Sequence, residues 1–301
     1  MKILGLQDLK NYTSNSIITI GFFDGVHLGH QMIINTMVKE AKKNDLKSVV
    51  ISFDDSILKR FKMTSNIYTL KEKEKYLKEM GVDYLLLLKD DDNVINYSAF
   101  EFKNEVLDKL KTKIVVSGSE FNFAKNKEGN ATFIKEKTNY RLIEVGDVFV
   151  DNIKVSSTYI RNLLKDGNIT LANELLYANV YVRSRVKRGK QIGRTLHFNT
   201  ANLSISKEKM LLKQGVYFGR VYYLKNKYYA IVNIGNNPTI AKNNKITMEV
   251  HILDFNQDIY GKILTVFLDF YNREEIKFDN RKLLENQIKK DKEKCREYYN
   301  L

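Results

Sequence analysis

From Ile18 to His30 the chain reads Ile-Thr-Ile-Gly-Phe-Phe-Asp-Gly-Val-His-Leu-Gly-His, and this short stretch holds two of the four histidines in 301 residues. An apolar, β-type run ends at Gly21, and a turn and a helix start follow. The first N–H groups of a helix have no partners inside it and carry the positive end of its dipole. Imidazoles beside such groups suit a nucleotide phosphate. A plainer reading makes this a strand–turn–helix whose histidines only satisfy helix-start donors. The flanking Gly21, Gly25 and Gly29 favour the phosphate reading.

A second cluster, Val155-Ser156-Ser157-Thr158-Tyr159-Ile160-Arg161, has the same chemistry. Serine and threonine at a helix start cap free N–H groups, and an arginine one turn further in grips phosphate with two donors. Alone it would be a plain N-cap; beside the histidine turn it gains specificity.

These clusters need a scaffold. Short buried-looking runs predict strands at Ile17–Ile20, Ser48–Phe53, Tyr84–Leu88 and Ile114–Ser117. Helical patterns lie between them at Gln31–Lys43, Leu70–Met80 and Ser98–Leu110, with Gly81 as a helix stop. The rhythm predicts a parallel sheet covered by helices, with ligands beyond the carboxyl ends of its strands, where His27 and His30 fall. Helical patterns follow at Ser157–Lys165 and Thr170–Leu176. After about Ala178 the texture changes. Val180–Val186, Val216–Leu224, Tyr228–Ile234, Thr247–Leu253 and Ile263–Tyr271 read as strands of a small antiparallel barrel, closed by an amphipathic helix over Asn280–Tyr299.

Composition narrows the class. The length fits two domains, and 43% hydrophobic residues is ordinary for a globular chain. No apolar run approaches a membrane span, the start has no signal-peptide pattern, and one cysteine excludes an internal disulfide or a cysteine-built zinc site. A cytoplasmic protein is expected. The charge of +14 admits a polyanionic partner, but lysines such as those of Leu70–Lys78 and Ile288–Lys294 are scattered and read as solvated faces. No nucleic-acid or membrane partner is expected, and the oligomeric state is left open.

The two phosphate-facing clusters together resemble the nucleotidyltransferase superfamily. Within it, Gly21 to Gln31 resembles the adenylyltransferase half of the bacterial bifunctional riboflavin kinase/FMN adenylyltransferase family, also called FAD synthetase. The second half resembles the same family independently. Gly189 to Asn202 looks like its kinase glycine loop and Thr-Ala-Asn metal motif, followed in family order by Gln214–Tyr217, Asn233–Thr239, Met248–Phe255, Tyr260-Gly261, Arg273-Glu274 and Lys277-Phe278.

The resemblance implies an α/β nucleotidyltransferase domain with a Rossmann-like parallel sheet over 1–178, then a small antiparallel β-barrel riboflavin kinase domain with a C-terminal helix over 179–301. It implies ATP-dependent phosphorylation of riboflavin to FMN, then adenylyl transfer from ATP to FMN giving FAD. His27 and His30 would stabilise charge on the α-phosphate, and Ser156, Ser157, Thr158 and Arg161 would hold the departing phosphates. Gly21, Phe23, Asp24, Gly25 and Gly29 would shape the ATP site, Asp24 being equally able to cap the turn. Phe53, Glu120 and Phe123 are flavin-site candidates, the two aromatics suiting the core equally. In the second domain Gly189, Gly193 and Arg194 would approach ATP phosphates. Thr200 and Asn202 offer oxygen ligands to Mg²⁺, and Glu249 would take the hydroxyl proton. A lone strand glutamate is ordinarily solvated; its Met-Glu-Val-His setting points to the base.

The chain departs from the family pattern in places. The region after the second strand lacks prolines, and an Asp-Phe-Arg-Phe-Gly type signature reads Glu120-Phe121-Asn122-Phe123-Ala124. In the kinase loop a leading glycine is Ser184 and a Gly-Phe-Pro is His197-Phe198-Asn199. Two other readings stay open: only one active domain, with the kinase the better candidate, or a basic nucleic-acid-binding regulator on a retired scaffold.

Overall fold

The structure, a computed structural model, describes residues 1–57, 65–188, 198, 200–236 and 246–301. By its contacts the chain divides into two compact units, Met1–Tyr159 with Glu208–Met210, and Ile160–Lys207 with Leu211–Leu301.

Unit 1 is built on a parallel sheet. Its strands are β1 (Lys2–Leu4), β2 (Ser16–Ile20), β3 (Lys47–Phe53), β4 (Tyr84–Leu88), β5 (Thr112–Ser117) and, after a small hairpin of β6 (Asn122–Phe123) and β7 (Gly129–Asn130), β8 (Arg141–Glu144). The order is β1-β4-β3-β2-β5-β8, all pairs parallel. β2 is buried along its whole length, as are Ser48–Ser52 of β3 and Leu85–Leu88 of β4, the pattern of strands covered on both faces. Helices α1 (Leu28–Lys43), α2 (Leu70–Glu79), α3 (Ala99–Phe102) and α4 (Ala131–Lys137) accompany the sheet. A second hairpin, β9 (Phe149–Val150) with β10 (Ile153–Lys154), precedes α5 (Ser157–Asp166). Ile18, Ile51, Leu86 and Val115 from the central strands share one core with Phe102 and Phe123.

Unit 2 is an antiparallel barrel. After α6 (Ile169–Leu175), strands β11 (Tyr181–Arg185), β12 (Ala201–Ser204), β13 (Gly215–Tyr223), β14 (Asn226–Asn236), β15 (Ile246–Ile252) and β16 (Ile263–Arg273) pair in the order β11-β16-β13-β14-β15-β12. A bridge from Lys187 N–H to the Asn202 carbonyl, 2.9 Å, brings the two ends of the sheet together. Helix α7 (Arg281–Tyr299) starts at the side-chain cap Asn280. Its buried residues are Asp291 and Cys295, with Asp291 accepting from the Arg273 guanidinium at 2.6 Å. Leu283, expected on the apolar face, is exposed.

The predicted strands and helices are present in both units; β1, β12, α4 and the two hairpins are additional to them, and three further points differ. Ser98–Leu110 forms only one α turn at Ala99–Phe102, then a wider π-type turn at Lys103–Leu107. The short strand β8 was not anticipated because charge at both ends, Arg141 and Glu144, hides a two-residue apolar signal. The lysine-rich face of α2 is not solvated throughout, since Glu72 and Lys73 are both buried. Glu72 closes a capping box with Thr69 and accepts from Lys209 at 2.8 Å, so its burial leaves no charge unpaired. Lys73 finds oxygen acceptors of its own.

Ala124 stands where the family pattern has glycine. Its backbone, φ 66° and ψ 177°, occupies a region that L-residues other than glycine rarely enter. The loop has kept a glycine conformation without the glycine, and the strain is stored there. Ala124→Gly should therefore raise stability by about 1 kcal/mol, the relief of strain exceeding the entropy that glycine adds to the unfolded chain. A higher urea midpoint at unchanged slope would show it; a lower midpoint would refute it.

Candidate active site

The turn after β2 is built to leave polar groups facing outward. Phe23 and Gly25 take left-handed angles, φ 52° and 77°, so the chain reverses sharply and α1 starts at Leu28. Glycine suits the second of these positions because it carries no Cβ. His27 is the N-cap of α1 and its Nδ1 accepts from His30 N–H at 3.4 Å. The capping role and the phosphate-facing role therefore reside in one residue. That bond requires an unprotonated Nδ1, which leaves the His27 proton on Nε2. The two imidazoles stack with centroids 3.7 Å apart, and Phe23 meets His30 edge-on at 5.1 Å. Among the described residues His30 Nδ1 has no hydrogen-bond partner although it is buried.

Burial pushes His27 down to about 4. His30 is held well below the ordinary histidine range by burial first, then by His27 and Lys73. Both rings are neutral donors near pH 7.

Asp24 is nearly buried, and its carboxylate Oδ1 accepts from Ile67 N–H at 2.8 Å. Its carbonyl accepts from the Ser157 hydroxyl at 3.1 Å, which draws the start of α5 to the turn after β2. Ser156 Oγ accepts from Tyr159 N–H at 3.2 Å and caps that helix. Arg161 lies one turn further along α5.

A cavity of about 770 Å³ lies at the carboxyl ends of the central strands. Gly21, Phe23, His27, Gly29 and His30 line it from the turn, Ser156, Ser157 and Thr158 from α5, and Phe53, Glu120 and Phe123 from the remaining wall. Asp24 and Gly25 stand behind this wall, outside its lining. Phe53 meets Phe22 at 4.8 Å. Phe123 belongs to the core, against Phe102 and Phe133, while still touching the cavity. Glu120 is largely exposed and pairs with Lys154 Nζ at 2.7 Å, an ammonium that also meets Asp147 at 3.1 Å. Lys125, Lys127 and Lys154 all line the cavity. These three basic residues have no periodicity to mark them, since Lys125 and Lys127 sit in a three-residue 3₁₀ turn and Lys154 in a two-residue strand.

In the barrel, register brings the kinase candidates together. Glu249 on β15 lies directly opposite Asn202 on β12 and opposite Asn233 on β14. Neighbouring partners across a sheet share a face, so the three side chains form a row. Burial raises the Glu249 carboxyl, and the Glu275 carboxylate adds to the rise. Asn233 Nδ2 donates to Glu275 Oε1 at 3.0 Å. Asn233 and Glu275 carried no assigned role from sequence; the motif around Asn233 marked the place but not the contact. Thr200 precedes β12 by one residue and is half-buried. His251 is buried and stacks on Phe198 at 3.6 Å. Gly189, Gly193, Arg194, His197, Asn199 and Asn237-Pro238-Thr239 lie outside the described residues. Among the described residues no cluster of three His, Cys, Asp or Glu could hold a metal, so a cation here would rely on neutral oxygens such as those of Thr200 and Asn202.

Comparison with known proteins gives the family of each half of the chain. The family model described as FAD synthetase matches residues 9–159, and the one described as riboflavin kinase matches residues 176–299. A bifunctional riboflavin kinase/FMN adenylyltransferase of Buchnera aphidicola is 35% identical over the whole of both chains. The Escherichia coli protein of that name is 32% identical, over all of this chain and 99% of that one. A crystal structure described as a macrolide-efflux protein from Streptococcus pneumoniae superposes with TM-score 0.89 at 32% identity, covering 98% of each chain. No described helix of this chain is long and apolar enough to cross a membrane. With a nucleotidyltransferase-type sheet and a flavokinase-type barrel in one polypeptide, the chain is a two-step flavin nucleotide enzyme by class. It belongs to the bifunctional riboflavin kinase/FMN adenylyltransferase family.

The depressed His27 value sets a direction for pH. Below 6.5 the unfolded chain takes up a proton that folded His27 refuses until about 4, so stability falls as pH drops through that window. Urea midpoints measured from neutral pH to pH 4.5 should decline, and His27→Gln should lessen the decline, leaving the part carried by His30. An equal slope in the variant would show that His27 is not the group responsible.

Proposed function

We infer that the chain carries out both steps of its family: riboflavin and ATP give FMN and ADP, then FMN and a second ATP give FAD and pyrophosphate. We assign the adenylyl step to residues 1–178 and the kinase step to 179–301. The observation that carries the adenylyl step is the convergence of the His27–His30 turn and the Ser156–Thr158 helix start on one cavity, tied together at Asp24.

In this reading an oxygen of the FMN phosphate attacks the α-phosphorus of ATP, and the bond to the bridging oxygen of pyrophosphate breaks. His27 Nε2–H and the first amides of α1 donate to the α-phosphate oxygens as charge builds on them. Neutral donors suit this task, because a fixed cation there would bind the ground state nearly as strongly as the transition state. Ser156, Ser157, Thr158 and Arg161 retain the leaving pyrophosphate.

In the kinase reading Glu249 accepts the proton of riboflavin's terminal hydroxyl while that oxygen attacks the γ-phosphorus and ADP leaves. A carboxyl raised by burial is a better base near neutral pH than a solvated one. Thr200 and Asn202 would hold Mg²⁺, a hard cation that suits neutral oxygens plus phosphates, and it would supply charge neutralisation for ATP. Asn233 orients Glu275 beside the base. A cytoplasmic location accords with a single buried thiol, Cys295.

Purified protein incubated with riboflavin, ATP and Mg²⁺, with flavins separated by chromatography, tests the whole reading. FMN followed by FAD is expected; FMN alone would sink the adenylyl step, and unchanged riboflavin the kinase step. His27→Ala should lower FAD formation by at least about a hundredfold while sparing FMN formation. Glu249→Gln should do the reverse, leaving FAD formation intact when FMN is supplied.

A further inference from the structure

Lys73 is the buried charge that the two reactions leave unexplained. Only 8% of it is exposed, at a helix position whose neighbours Lys71 and Lys75 face solvent more freely. Its Nζ donates to the Phe22 carbonyl at 3.1 Å, the Ser52 hydroxyl at 3.0 Å and the Phe53 carbonyl at 3.2 Å. An ammonium has three protons, and each has an acceptor. Ser52, fully buried, donates in turn to the Phe22 carbonyl at 3.2 Å.

These acceptors belong to the ends of β2 and β3, where the cavity begins. Phe22 follows Gly21 and Phe53 ends β3; both rings line the cavity and touch each other. We propose that Lys73 is a positioning residue for the flavin end of the adenylyl-transfer cleft, clamping the Phe22 and Phe53 carbonyls so that their rings stay paired on the cavity wall. The proposal rests on the adenylyl-transfer reading of that cleft. Lys73 acts from behind the wall and is not itself in its lining.

The surroundings make the clamp titratable. Burial pushes Lys73 down to about 8, with the carboxylates of Asp24, Asp55, Glu74 and Asp54 acting the other way. Asp24 faces it from the turn after β2, Asp54 and Asp55 from the segment after β3, Glu74 from α2 itself, and His30 from α1. Above that pH the neutral amine has two protons for three acceptors, and one carbonyl is left without its donor.

The test uses the intact enzyme and two readouts, FAD formation and FMN affinity followed by quenching of flavin fluorescence. Lys73→Met should raise KM for FMN in adenylyl transfer about tenfold, with kcat and KM for ATP changed far less. Riboflavin phosphorylation by the same sample should be unchanged. In wild type, KM for FMN should climb as pH passes 8, and in Lys73→Arg, whose guanidinium keeps its charge, the climb should vanish. Should Lys73→Met fail to fold, the pH profile and Ser52→Ala, with a rise of about threefold in the same KM, decide the matter. A folded Lys73→Met with wild-type FMN affinity, or a flat wild-type profile between pH 7 and 9.5, overturns the proposal. Weaker FMN binding in Lys73→Met together with no FAD from wild type would retire the adenylyl-transfer reading and leave the clamp standing. Absence of FMN binding by wild type would overturn both.

Discussion

Asp24 ties three segments that are far apart in sequence, and the geometry of the cavity at the strand ends depends on it. Its carboxylate takes the amide of Ile67, 43 residues away, and its carbonyl takes the hydroxyl of Ser157, 133 residues away. A parallel sheet delivers loops to the carboxyl ends of its strands but does not fix the distance between them. In unit 1 a nearly buried acid in the turn before α1 does so, holding that turn to the start of α5 and to the segment at Ile67. Burying a carboxylate is unfavourable unless its oxygens are satisfied, which makes the Ile67 amide part of the constraint.

The barrel meets the same need differently. Strand pairing has a period of two, so register alone decides which side chains share a face. Asn202, Glu249 and Asn233 sit opposite one another on three adjacent strands, and a slip of one residue in β15 would turn Glu249 to the other face. Backbone hydrogen bonds therefore specify this site, where side-chain links specify the other. The row is completed by Glu275, reached through Asn233 from beyond the end of β16.

What could be read from sequence follows from these two modes. The parallel strands are apolar runs with few alternatives, so their positions and the fold class were legible. The histidine turn was legible because its residue types are rare in this chain and close together. The tethers were not. Nothing near Asp24 in sequence names Ile67 or Ser157 as its partners, and capping the turn or facing a nucleotide looked equally good. Lys73 was hidden for another reason: on a helix with lysines at 71, 73, 75 and 78, composition reads as a solvated face. Burial of one of them is decided by three oxygens, one in the turn after β2 and two on β3. Ala124 reverses the lesson. Alanine disfavours the backbone that glycine permits, yet the loop keeps a glycine-like conformation where β6 and β7 pair across it and Phe123 is anchored in the core.

The charges of the cleft are distributed in a way that bears on the chemistry. Ammonium groups lie at its periphery, Lys125, Lys127 and Lys154 on the wall and Lys73 behind it, while the two groups nearest the helix start are imidazoles kept neutral by burial. Peripheral cations attract a triphosphate from a distance and are screened by salt. Lys154 is partly neutralised by Glu120 and Asp147, which moderates its pull on any one phosphate. Lys73, by adding its field to His30, helps keep that ring uncharged, so the cation that holds the wall also preserves a neutral donor set. In the adenylyl-transfer reading, a site arranged this way gathers its anionic substrates by long-range charge and reserves short, oriented hydrogen bonds for the atom at which charge develops, where differential stabilisation counts toward rate.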